Sequence, residues 1–152
     1  MIVKSECFMS SEENKAIVRK MIQAIDKQNL ASLDELMAPD FILHMHARQA
    51  QGWEVNKQVI EDEIKAFPDL HVAIEDVIAE EDKVFVRLHE TATHTGKYRG
   101  LAPTGNKLSY MVAAIWRIAE EKIVEGWIIY DQMDFLIQLG VIEWKGFPDE
   151  TM

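Results

Sequence analysis

The sequence predicts an α+β fold, in which N-terminal helices pack on a mainly antiparallel sheet. Two observations lead there: apolar residues recur at helical spacing as far as Phe67, and from Leu70 they alternate almost to the end. Helices gathered ahead of strands, with tight turns between the strands, describe an antiparallel meander carried by a helical layer.

The first element begins at Ser10 or Ser11, a serine N-cap followed by Glu12 and Glu13, whose charges suit the first turn of a helix. Ile17, Val18, Met21, Ile22 and Ile25 form its apolar stripe, which runs out near Lys27 to Asn29. A shorter helix from Ala31 to about Met37 presents Leu33, Leu36 and Met37, and Pro39 stops it. Phe41 to Met45 reads as a short strand, and Ala47 to Gly52 as a polar stretch. Trp53 to Phe67 places Val55, Val59, Ile60 and Ile64 at helical spacing before Pro68. Strands are then expected at His71 to Glu80, Lys83 to His94, Lys107 to Ile118 and Ile123 to Asp131. Glu80 to Asp82 and Glu120 to Glu121 are the turns, and a glycine-containing loop leads into the third of these strands. Residues 1–10 are expected to be a flexible N-terminus, 11–140 the domain, and 141–152 a C-terminal extension.

Composition narrows the function classes. With 152 residues, 48% of them hydrophobic, the chain is large enough for one domain with a real core. A formal net charge of -10 opposes phosphate backbones and anionic headgroups, so no nucleic acid and no membrane partner is expected. Cys7 is the only cysteine, which excludes an internal disulfide. Met1 to Ser10 carries Lys4 and Glu6 and no continuous apolar stretch, so a cytoplasmic location is expected.

In Lys107 to Ile118 both faces are apolar: Leu108, Tyr110, Val112, Ala114 and Trp116 point one way, Met111, Ala113 and Ile115 the other. One subunit's helices cover one face of such a sheet. The other face is therefore expected to form a homodimer interface.

Phe67-Pro68-Asp69, Thr93-His94-Thr95-Gly96, Gly100-Leu101-Ala102-Pro103-Thr104-Gly105, and Trp127 to Asp131 followed by Gln138-Leu139-Gly140 occur in an order and spacing that resembles the SnoaL-like polyketide cyclase and ester cyclase group. The resemblance runs from about Glu13 to Gly140 and implies the cone-shaped nuclear transport factor two-like fold, whose curved sheet encloses a pocket. It also implies two departures. The founding cyclases carry an acid/base aspartate directly after the position matched by Trp127, which is Ile128 here, and their strand histidine aligns with Ala114. Aldol ring closure in the family manner is not expected of such a chain.

Asp131, Glu90 and His44 are the candidate catalytic groups. Asp131 follows Trp127, Ile129 and Tyr130, where apolar surroundings would raise its pKa toward the range useful for acid/base work; its other reading is the N-cap of a helix from Gln132 to Leu139. Glu90 falls on the face of Val84, Val86 and Leu88 and aims into the pocket unless the strand twists it to the margin. His44 and His46 share a face if their strand continues; a third metal ligand is not announced by spacing, so no metal site is expected, and a pocket histidine is the favoured functional use, behind the plain reading of a satisfied core or surface histidine. His94 reads as a residue that holds the loop after Gly96, and His89 as lying outside.

Trp53, Phe67, Tyr110, Trp116, Trp127, Ile128 and His46 are the expected pocket walls, fit for a small apolar molecule. No phosphate-binding glycine loop, nucleophile elbow or cysteine set is present, so any chemistry is expected to be proton transfer with no cofactor. Two functions follow: binding of a small apolar carbonyl compound with cofactor-free acid/base catalysis, whether cyclisation, isomerisation, dehydration or hydrolysis, or a non-catalytic binding or dimeric scaffold protein of the same fold.

Overall fold

The computed structural model describes residues 9–46 and 48–146; Cys7 and the ends of the expected terminal segments lie outside them. Helices α1 (Ser11–Asp26) and α2 (Leu30–Leu36) precede strands β1 (Met37–Met45) and β2 (Arg48–Gln51), and helix α3 (Trp53–Ala66) comes after them. Strands β3 (His71–Glu80), β4 (Lys83–Thr93), β5 (Lys107–Ala119) and β6 (Lys122–Tyr130) follow, and α4 (Gln132–Leu139) ends the fold. The sheet order is β2-β1-β6-β5-β4-β3. Every neighbouring pair is antiparallel except β1 with β6, which run parallel and bring the first strand beside the last. The architecture is α+β, a mostly antiparallel open sheet with helices against it, as the cone-shaped fold requires.

A capping box starts α1. The Glu13 amide donates to Ser10 Oγ at 3.2 Å, and the Ser10 amide donates to Glu13 Oε2 at 2.7 Å. The helix then buries Ile17, Val18, Met21 and Ile22 against the concave face, and Asn14 Nδ2 ties it to the β3–β4 turn through Glu81 O at 3.0 Å. On that face, Val84, Val86 and Leu88 of β4 meet Val112, Ala114 and Trp116 of β5 and Phe41 of β1. Irregularities between Ile74 and Asp76 in β3 and between Arg117 and Ile118 in β5 break the ladder where the sheet bends.

Gly126 has a specific task. A Cβ there would stand 2.4 Å from Trp116 Cζ3, so only glycine lets the indole lie across β6. Two elements differ from the sequence expectation. Strand β1 starts at Met37, through Pro39, because pairing with β6 extends it, and Arg48–Gln51 is a strand because it pairs with Ile42 to Met45. No helix among the described residues is long and apolar enough to cross a membrane.

Candidate functional site

Between α1, α2, α3 and the concave face lies a cavity of about 180 Å³. It exceeds the roughly 150 Å³ of an engineered cavity that takes benzene. Most of its wall is apolar, with Met21, Ile22, Leu33, Phe41, Leu88 and Trp116 among the lining residues. The exceptions are Asn56 and a cluster built from three strands, a helix and a loop: Glu63, Glu90, Tyr98, Tyr110 and Tyr130.

Each member owes its place to local geometry. Alternation along β4 puts Glu90 on the face of Val84, Val86 and Leu88, opposite Tyr110 of β5, and Tyr110 Oη donates to Glu90 Oε2 at 2.8 Å. Helix α3 lines the cavity with Asn56, Val59, Ile60, Glu63 and Ile64, and Phe67 follows at its C-cap. That spacing places Glu63 in the apolar stripe. Tyr98 comes from a two-residue turn whose Arg99 and Gly100 both have positive φ (46° and 90°) and whose ends exchange hydrogen bonds, Tyr98 N to Leu101 O at 3.0 Å and Leu101 N to Tyr98 O at 2.8 Å. Phe135 of α4 braces the rings, with its centroid 5.2 Å from Tyr110, 5.7 Å from Tyr130 and 6.1 Å from Tyr98.

His94, fully buried, anchors the loop that holds Tyr98. Its Nδ1 accepts from the Thr104 amide at 3.2 Å, and the His94 amide donates to Asn106 O at 2.9 Å. At the other root of the loop, the amides of Thr95 and Gly96 both donate to Ala66 O, at 3.1 and 3.0 Å. A Cβ on Gly96 would fall 2.0 Å from Lys65 O.

Burial dominates the electrostatics. Desolvation pushes Glu63 from 4.5 up to about 7, with the Glu90 charge adding to the rise and Arg99 opposing it. Glu90 is raised by desolvation, offset in part by the Tyr110 hydrogen bond. Desolvation lifts Tyr98 to about 12 and raises Tyr110 and Tyr130 as well, so the three phenols stay neutral. Glu90 has a hydrogen-bond donor that favours its charged form; Glu63 has none among the described residues.

Of the other expected groups, Asp131 is exposed and caps α4, accepting from the Asp134 amide at 3.0 Å; the turn out of β6 directs its carboxylate away from the cavity. His44 is on the convex face, where Nε2 meets Glu125 Oε1 at 2.8 Å and the ring stacks on Trp127 at 5.1 Å. Trp127 is therefore no part of the cavity wall. The cause is strand parity: Phe41, Leu43 and Met45 line the cavity, so His44 between them cannot. His46 ends the strand with φ 53°, so it does not share the face of His44; its ring stands edge-on to Tyr130 at 4.8 Å, outside the lining. Among the described residues, no three His, Cys, Asp or Glu side chains gather as a metal set. Trp53, Phe67, Tyr110, Trp116 and Ile128 line the cavity, as does Ala114.

Glu63 was not singled out from the sequence. The signal was present, since a glutamate four residues after Val59 and three after Ile60 interrupts an apolar helical stripe just as Glu90 interrupts an alternating strand.

Comparison with known proteins bears on this geometry. No curated protein matches the chain. Among crystal structures, AclR of Streptomyces galilaeus, a candidate hydroxylase, is 30% identical with a TM-score of 0.80, and the match covers 89% of either chain. IdmH of Streptomyces antibioticus, a candidate polyketide cyclase, is 28% identical with a TM-score of 0.73 over 84% of this chain and 99% of its own. An LEH-like epoxide hydrolase of M. tuberculosis, 11% identical with a TM-score of 0.68 over 85% of this chain and 90% of its own, shares the fold alone. The family profile described as SnoaL-like polyketide cyclase matches residues 15–139, and the chain belongs to that family.

Proposed function

We propose that the chain binds a small, mostly apolar carbonyl compound in the cavity and moves a proton on it without a cofactor, Glu90 acting as base and Glu63 as acid. The observation that supports this reading is the pair itself: two carboxyl groups in a mostly apolar cavity, one hydrogen-bonded toward its charged form, the other titrating at about 7. Glu90 takes a proton from the carbon beside the carbonyl, and Glu63 gives one to the carbonyl oxygen, leaving an enol. Reversal at a different carbon is an isomerisation.

The test uses phenylacetone, whose exchange of α-protons in deuterium oxide is followed by NMR. The chain is expected to accelerate exchange, and Glu90→Gln to reduce that acceleration roughly tenfold or more. Equal rates in wild type and variant would remove Glu90 from the reaction. A second reading, non-catalytic binding, is favoured by Ile128 and Ala114, which face the cavity where the cyclases carry reactive groups. Phenylacetone that binds without any exchange would select it.

We also propose that a second copy covers the convex face of the sheet, in a cytoplasmic setting. Ile78, Met111, Ile115 and Ile129 are exposed there, at 62%, 57%, 39% and 70%, a patch drawn from three strands. A two-fold pairing would bury the same patch on both copies. Sedimentation is expected to give a dimer for the wild type and a monomer for Ile129→Lys. A wild-type monomer at micromolar concentration would end this reading.

A further inference from the structure

On the reading that the cavity is the ligand site, we propose that its ligand is an amine, an apolar body whose protonated or quaternary nitrogen sits between Glu63, Glu90 and the surrounding aromatic rings. Five of the lining residues near the carboxyl pair are aromatic: Phe67, Tyr98, Tyr110, Tyr130 and Phe135. Their neighbouring ring centroids stand 5.1 to 6.3 Å apart, as in Phe67 with Tyr98 at 5.1 Å, Tyr110 with Tyr130 at 6.0 Å and Phe67 with Phe135 at 6.3 Å. Rings at these separations, most of them edge-on or tilted, pack against one another and form an aromatic cage at the carboxylate end of the cavity, a wall that suits a cation.

Charge within the cage is unbalanced. Among the described residues, the lining holds two glutamates and no lysine, arginine or histidine. Glu90 accepts from Tyr110, whereas Glu63 lines the cavity with no hydrogen-bond partner among the described residues. A buried carboxylate without a donor gains most from a cation brought to it. Arg99 is exposed, is outside the lining and lies 5.2 Å from the Tyr98 ring centroid, so this ring already takes a cation from outside the cavity. An anionic head would meet two carboxyl groups here, and a neutral carbonyl head pairs with Glu63 only while that group keeps its proton, leaving the Glu90 charge to Tyr110 alone. An ammonium satisfies both the carboxylates and the rings, and beside a carbonyl it would also stabilise the negative charge that develops on enolisation.

The experiment compares benzyltrimethylammonium with neopentylbenzene, which has the same shape and no charge, by isothermal titration. Neither probe titrates, so the comparison reads the protein. The ammonium is expected to bind about tenfold tighter or more. That preference should disappear in the Glu63→Gln, Glu90→Gln double variant and increase in Arg99→Leu, a surface change that removes the competing cation. Equal affinities, or a preference that survives in the double variant, would overturn the amine assignment. If neopentylbenzene binds in that case, the cavity still stands as a ligand site. Binding of neither probe would remove both readings together.

Discussion

Glu63→Gln is expected to stabilise the protein at alkaline pH by about 3 kcal/mol, on the order of 6–10 °C in melting temperature for a domain of this size. The wild-type carboxyl group has its folded pKa raised from 4.5 to about 7, mainly by desolvation. A displacement of about 2.5 pH units corresponds to about 3 kcal/mol at 1.36 kcal/mol each. The sign follows from proton linkage. Below the unfolded pKa the group is protonated in both states and contributes no penalty; as pH rises through 4.5 the unfolded chain ionises first, and stability is lost until the folded group ionises near 7. Above about pH 8 the whole penalty is present.

The glutamine side chain is neutral at every pH and nearly isosteric, so the variant escapes the penalty. Wild type and variant should therefore melt alike near pH 4.5 and separate progressively up to about pH 8. Some alkaline loss remains in the variant, because Glu90 is also raised by burial. Asp26, Asp69 and Glu125 act with the opposite sign, each held below its ordinary value chiefly by a hydrogen bond, from the Val72 amide, the Thr93 hydroxyl and His44 respectively. Their contribution is lost only as pH falls below the usual carboxylate range, outside the window in which Glu63 titrates. Melting curves for both proteins across pH 4.5 to about 8.5 decide the matter, and parallel curves would mean that Glu63 is solvated. Gain of stability together with loss of proton exchange on phenylacetone would mark a group kept for chemistry at the cost of stability.

The same residue shows where sequence reading reached and where it stopped. Long elements were legible because their periods are local: the alternation of β3 to β6 and the capped stripe of α1 need no knowledge of partners. Strand β2 was not legible, since Arg48-Gln-Ala-Gln carries neither alternation nor β-branched residues and is a strand through its pairing with β1. The parallel pairing of β1 with β6 is likewise a property of the closed sheet.

At the site, parity decided. Glu90 lies in phase with Val84, Val86 and Leu88, and it lines the cavity; His44 lies out of phase with Phe41, Leu43 and Met45, and it does not. That phase could be read directly from the apolar residues of β1. Asp131 is different in kind, because a carboxylate before a helix serves equally well as cap or as acid, and only the turn taken after Tyr130 settles which. The cage could be read only in part: Phe67 and Tyr110 are walls that the sequence predicts, whereas Tyr98, Tyr130 and Phe135 are not. Phe67, Tyr98, Tyr110, Tyr130 and Phe135 come from separate elements and meet only in the folded chain.

Gly96→Ala is expected to cost on the order of 3 kcal/mol and to weaken binding of benzyltrimethylammonium as well. A methyl group at this position would lie 2.0 Å from Lys65 O, 2.8 Å from Lys65 C and 2.9 Å from Ala66 Cα, all of them backbone atoms at the end of α3 that no rotamer change can move. Relief requires the loop to separate from the helix, which breaks the hydrogen bonds of the Thr95 and Gly96 amides to Ala66 O. Those bonds join the two elements that supply Glu63 and Tyr98 to the cavity, so one methyl group strains the fold and opens the cage together. Gly100→Ala offers a control in the same loop. Its φ of 90° is also unfavourable to alanine, but nothing lies within 4 Å of the added Cβ, so the expected cost is about 1 kcal/mol with the α3 junction intact. Urea unfolding of the two variants, with ammonium affinity measured on each, separates steric wedging from local backbone strain. If both glycines gave the same small loss and the same affinity, the junction at Ala66 would be too soft to position Tyr98 against Glu63, and the cage would have to be held from α4 through Phe135 instead.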